Sequence, residues 1–107
     1  MPDRKFLDER SFTRGGGVIR VEAWIDGGSK WIHRYNLAYV NTEIYSGDNG
    51  RVVGFDNRHR YPGFRSVHHA HWFGLILDDR RFVSFDQTLT RFERLLARLK
   101  RLYGDAY

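Results

Sequence analysis

The sequence predicts an α+β domain: an antiparallel sheet of four to five strands with one long C-terminal helix packed on it. Three observations carry this expectation. Apolar and polar residues alternate with period two over residues 18–26 and 31–40. Turn-forming clusters separate those stretches. Beyond residue 85 the period changes to about 3.6, with Leu89, Phe92, Leu95, Leu96, Leu99 and Leu102 on one stripe.

Residues 1–17 end in Arg14-Gly15-Gly16-Gly17, a break that makes them a flexible or helical N-terminal arm. Residues 18–107 form the single domain. In Val18–Asp26, Ile19, Val21, Ala23 and Ile25 take one face of a half-buried strand, and Arg20, Glu22 and Trp24 the other. Asp26-Gly27-Gly28-Ser29 turns into a second strand, Trp31–Val40, with Trp31, His33, Tyr35, Leu37 and Tyr39 on one face. Residues 46–50 turn again, into a strand Arg51–Asp56. His68–Leu77 reads as a fourth strand, and Asp78-Asp79 turns it into a short strand Arg81–Phe85. Ser84 and Gln87 have capping-box spacing at the start of the helix, with Asp86 as the competing cap.

Composition bounds the function. At 107 residues the chain has room for one modest core, and 41% hydrophobic and 16% aromatic content favours a folded domain. Eighteen Lys/Arg against thirteen Asp/Glu give +5, which favours nucleic acid or an acidic protein as partner. The absence of cysteine excludes disulfides and thiolate zinc sites. No apolar run approaches the ~20 residues that span a bilayer, and the charged start has no signal-peptide core. A cytoplasmic protein that does not engage membranes is the expectation.

Residues 54–74, GFDNRHRYPGFRSVHHAHWFG, hold four of the five histidines together with Asp56, Asn57, Arg58, Arg60 and Arg65. On a strand His69 and His71 share one side, about 6.6 Å apart, and His68 takes the other. Two imidazoles so placed suit acid–base cleavage of a phosphodiester: one takes a proton from the RNA 2′-OH and the other gives one to the leaving oxygen. Arginines would stabilise the transition-state charge, and Asp56 would orient one ring. The same residues also suit a metal held by two histidines and a carboxylate, or plain hydrogen bonding across a polar sheet face. We expect metal-free, cofactor-free chemistry with His69, His71 and Asp56 catalytic. Arg58, Arg60 and Arg65 would bind phosphate. On the exposed helix face Arg91, Arg94 and Arg98 would track a nucleic-acid backbone. Tyr61 and Phe64 among the loop arginines suit base stacking. His33 reads as structural, and Ser66 beside a histidine is no triad signal.

Gly54-Phe55-Asp56-Asn57, His69-Ala70-His71, the strand Tyr35–Val40 and a helix from near Phe85 together resemble the TumE-type toxins of bacterial type II toxin–antitoxin modules, over roughly Val18–Arg101. The resemblance implies a toxin neutralised by a cognate antitoxin, commonly of the helix-turn-helix type. The loop RHRYPGFRSV is longer and richer in arginine than that family's pattern, so His68 and the loop arginines are not carried over. The expected function is a toxin acting as a metal-independent endoribonuclease on RNA. The alternatives are a non-catalytic nucleic-acid-binding or regulatory module, and a metal-dependent nuclease with a His-x-His/Asp site.

Overall fold

Antiparallel pairing of successive alternating segments produces a six-stranded meander in the computed structural model, which describes residues 3–28 and 31–107. The strands are β1 (Asp3–Phe12), β2 (Val18–Asp26), β3 (Ile32–Val40), β4 (Arg51–Asp56), β5 (His69–Trp72) and β6 (Leu75–Asp78), and they neighbour one another in chain order. One helix, α1 (Phe85–Tyr103), packs on β3 and β4. The α+β class and the single C-terminal helix agree with expectation, and the sheet has six strands instead of four or five.

The extra strands have physical causes. Residues 3–12, expected in a flexible or helical arm, form β1, paired with β2 along its whole length. Its charge-dense sequence hides the alternation, and Leu7 is its only partly buried hydrophobic in the core. Such charge suits an edge strand, where it discourages pairing with other chains. The expected single strand His68–Leu77 is instead two strands. Phe73 (φ 47°) and Gly74 (φ 84°) form a two-residue hairpin between them. Two successive left-handed residues match the twist of the flanking strands. The expected strand Arg81–Phe85 is a loop running into α1. Ser29, in the expected first turn, lies outside the described residues.

Register sorts the side chains into two layers. Leu37, Phe55 and Ala70 stand in one cross-strand row, and Tyr39, Val53 and Trp72 in another. Both rows face α1, whose Phe92, Leu96 and Leu99 complete the core at i, i+4 and i+7. Trp31 and His33, expected on the same face as Tyr35, are exposed. The irregularity opposite Trp24–Ile25 breaks the alternation just before Tyr35. Ser84 caps α1 by accepting from the Gln87 backbone N–H at 3.1 Å. Gly104 closes it with φ 54°.

The opposite face of the sheet has no helix over it, and it is polar. A single row crosses all six strands: Asp8, Glu22, Asn36, Asp56, His69 and Asp78. The next row holds Arg10, Arg20, Ala38, Gly54, His71 and Ile76. The candidate site is built from these two rows.

Candidate functional site

Asp56 lies directly opposite His69 and diagonally opposite His71, so both imidazoles reach its one carboxylate. His71 Nε2 is 2.7 Å from Oδ2, and His69 Nδ1 is 3.1 Å from Oδ1. The Arg58 backbone N–H donates to Oδ1 at 3.2 Å, and Arg51 Nη1 approaches Oδ2 at 3.4 Å. Arg51 also grips Asp48, through Nε at 3.0 Å and Nη2 at 3.3 Å. Its side chain crosses the sheet above Gly54: a Cβ there would lie 3.2 Å from Arg51 Cδ and 2.6 Å from the Leu37 carbonyl oxygen. Glycine at 54 therefore opens the path by which Arg51 reaches Asp56.

Asp56, His69 and His71 are all buried, with His69 wholly so and His71 3% exposed. The loop expected to bind phosphate covers them. Tyr61 packs edge-on to His69 with ring centres 4.6 Å apart, and Phe64 lies 5.8 Å away. Tyr61 and Phe64 thus pack against a histidine, and Tyr61 also lines the adjacent cavity. Asp78 anchors the far end of the loop, accepting the backbone N–H groups of Arg65 at 2.8 Å and Ser66 at 3.1 Å. Burial by itself would raise the Asp56 pKa. The hydrogen bonds from His71 and His69 outweigh it and hold the carboxyl well below the usual carboxylate range. With one nitrogen of each ring spent on Asp56, the other two, His69 Nε2 and His71 Nδ1, are buried without a hydrogen-bond partner. His71 Nδ1 faces Asp48 Oδ2 at 4.0 Å.

Beside this cluster a cavity of about 400 Å³ opens on the helix-free face. Arg20, Arg34, Arg51 and Arg58 line it, with Glu22, Trp24, His59, Tyr61, Asp56 and His71. Lys5 (2.6 Å) and Asn36 (3.0 Å) hold the Glu22 carboxylate. Burial pushes the Glu22 pKa up, but these partners outweigh it and leave the acid ionised below its ordinary pKa. The Arg34 guanidinium sits 4.3 Å from the Trp24 ring centre. With both acids of the cavity committed to partners inside the protein, the surplus charge offered to a ligand is positive.

The structure brings Asp56, His69, His71 and Arg58 together and leaves the other expected residues apart. Arg60 and Arg65 are exposed on the loop and do not line the cavity. Arg94 and Arg98 are exposed on α1, across the sheet from the histidines. Arg91, expected to be exposed, makes a bidentate ion pair with buried Asp79 at 2.9 and 3.0 Å and lies over the Phe55 ring. Asn57 has a local task, accepting from the Tyr35 N–H and donating to the His33 carbonyl, each at 3.0 Å. Arg20, Trp24, Arg34, Arg51 and His59 are the residues missed from sequence. The signal for four of them was present in strand phase: Arg20 and Trp24 alternate with the core residues of β2, Arg34 with those of β3, and Arg51 begins β4. Among the described residues no group of three or more His, Asp or Glu side chains is arranged to hold a metal ion. No helix among the described residues is long and apolar enough to cross a membrane. No family model matches the chain, and neither characterised proteins nor solved structures yield a match.

Proposed function

We propose that the helix-free sheet face is an RNA site, and that the chain is an endoribonuclease acting as the toxin of a type II toxin–antitoxin module. The observation that carries the site is the cavity flanked by Arg20, Arg34, Arg51 and Arg58, with the Asp56–His71 pair at its floor. Guanidiniums in such number match a phosphodiester backbone, and the Trp24 ring holds one of them, Arg34, at the cavity. The toxin assignment rests on the sequence resemblance alone.

Roles follow from access. His71 lines the cavity and is the acid–base group, held in orientation by Asp56 through Nε2. His71 Nδ1, which makes no hydrogen bond and faces Asp48 Oδ2 at 4.0 Å, is the nitrogen left to take or give a proton. His59, exposed at the cavity edge, is the second proton-transfer group. His69, sealed under Tyr61, is a positioning residue for Asp56. The 2′-OH serves as the nucleophile, so the reaction needs no protein nucleophile.

A second reading is binding without cleavage, favoured by the 3% exposure of His71. End-labelled single-stranded RNA incubated with purified protein separates the two. The enzymatic reading expects RNA cleavage, no cleavage of the matching DNA, and a loss of about 10²–10⁴-fold in His71→Ala with RNA affinity kept. Binding without cleavage selects the second reading. Equal cleavage of DNA refutes 2′-OH chemistry. Induced expression in a bacterium should arrest growth for the wild type and not for His71→Ala.

A further inference from the structure

α1 leaves part of the sheet bare on its own side. It packs on β3 and β4, and its Leu89–Glu93–Leu96 flank meets Leu7 and Val21 of β1 and β2. On the other flank α1 reaches the β5–β6 hairpin at its turn, where the Phe73 and Tyr103 ring centres lie 6.4 Å apart, and leaves the apolar side chains of β6 exposed. Trp72 and Leu75 pair across that hairpin, as do Ala70 and Leu77, and these rows continue the helix-facing core rows of β4. Leu75 is 59% and Leu77 49% exposed, and Leu102 on the facing flank of α1 is 68% exposed. Two strands at a spacing of about 4.8 Å make a strip about 10 Å wide, the width of one α-helix. A second helix beside α1 would complete the layer over the sheet.

The charge around the strip selects what fills it. One turn before and after Leu95 on α1 come Arg91, already paired with Asp79, and exposed Arg98. Exposed Arg94 and Arg101 lie just outside them. Arg80 and Arg81 are exposed in the loop at the end of β6. The nearby acids are occupied: Asp78 holds the loop N–H groups of residues 65 and 66, and Asp79 holds Arg91. Glu93 belongs to the opposite flank of α1.

We infer that the strip formed by Trp72, Leu75 and Leu77 beside Leu95 and Leu102 docks an amphipathic helix of a partner protein, with its apolar face on the sheet and acidic residues against Arg94, Arg98 and Arg101. Helix-in-groove recognition uses this combination of apolar anchors and charged flanks. A strand added to β6 would gain few backbone bonds, since β6 has four residues. The surface lies on the face of the sheet opposite the proposed RNA site, so it stands or falls separately from that function.

The probe is a fluorescein-labelled synthetic peptide of about 20 residues, long enough to hold helix, with leucines at i, i+3, i+4 and i+7 and glutamates on both flanks. A second peptide carries lysine in place of each glutamate. The proposal expects saturable binding of the glutamate peptide by anisotropy. Affinity should fall at least about tenfold in Leu75→Glu/Leu77→Glu and in Arg94→Glu/Arg98→Glu, and by a similar factor for the lysine peptide. The arginine variant keeps the test decisive should the leucine variant melt. Four results overturn the proposal: no binding, equal affinity for the lysine peptide, displacement of the glutamate peptide by single-stranded RNA that needs Arg94 and Arg98, or a wild-type dimer in light scattering that Leu75→Glu dissolves.

Discussion

Asp56 receives His71 Nε2 at 2.7 Å from a strand that it joins directly through His69, so one buried carboxylate ties β4 to β5 twice. Removing the charge leaves two imidazole N–H donors competing for one amide oxygen. Asp56→Asn should therefore cost about 3 kcal/mol, the scale for breaking a buried pair, and lower the melting temperature by roughly 12–20 °C. The carboxyl is held below its unfolded value of about 3.9. The unfolded chain thus binds more protons in that range, and the stabilisation is full above about pH 4 and lost as pH falls through the folded value. Thermal unfolding from pH 7 downward should show the gap between wild type and variant hold to about pH 4 and close below it. A gap that narrows already at pH 6 would mean that Asp56 is not the titrating group.

Gly54→Ala tests whether the Arg51 bridge needs an empty position beneath it. The new methyl would press on a backbone carbonyl, which cannot swing aside, and on Arg51 Cδ. A loss of about 2 kcal/mol is expected, within the range for overpacking. Gly28, where an added Cβ would meet nothing within 4 Å, is the control, and Gly28→Ala should stay within about 0.5 kcal/mol. Equal stability of wild type and Gly54→Ala in both chemical and thermal denaturation would show that β4 shifts to admit the methyl.

β2, β3, β4 and the amphipathic helix were legible because their signals are periodic and local. β4 has the expected bounds, and Ser84 is the cap. The convergence of Asp56, His69 and His71 was legible too, since strand phase places His69 and His71 on one side. Access was not. That Tyr61 packs edge-on to His69 depends on where the loop between β4 and β5 falls back on the sheet, and no local pattern encodes that. Arg91 misled for a similar reason: a helical wheel puts it at the margin of the apolar stripe, and only the tertiary position of Asp79 draws it inward. β1 was missed because its pairing partner, not its own sequence, makes it a strand.

Tyr35 and His68 form a second titratable pair, on the helix side of the sheet. The phenol donates to His68 Nδ1 across 2.8 Å, and the imidazole stacks on Phe82 with ring centres 3.5 Å apart. Burial lowers the His68 pKa, against an opposing pull from Asp79, and burial raises that of Tyr35, so the phenol keeps its proton and the ring its bare acceptor. The unfolded histidine protonates near pH 6.5, above the folded one. Its contribution is then full above pH 6.5 and lost as pH falls through the lowered folded value. Subtracting the His68→Gln stability profile from that of the wild type should leave a difference that declines below pH 6.5. A flat difference between pH 7 and pH 5 would show that the folded ring takes its proton as readily as the unfolded one.

Salt dependence distinguishes the two faces as RNA surfaces. Each phosphate neutralised by a lysine or arginine contributes about −0.7 to the slope of log affinity against log salt for single strands. Arg34 and Arg58 line the cavity, and Arg94 and Arg98 stand on the opposite side of the sheet. Arg34→Ala and Arg58→Ala should each weaken RNA binding and flatten that slope by about one phosphate's share. Arg94→Ala and Arg98→Ala should leave affinity and slope unchanged, because a strand lying in the cavity cannot also reach across the sheet. Arg91→Ala is unsuitable for this comparison, since loss of its pair with Asp79 would destabilise the fold before it altered any ligand. Filter binding across a salt series, with each variant's melting temperature matched to wild type, provides the measurement. A slope that flattens for the helix arginines and not for Arg34 or Arg58 would move the RNA to α1 and leave the cavity without its ligand.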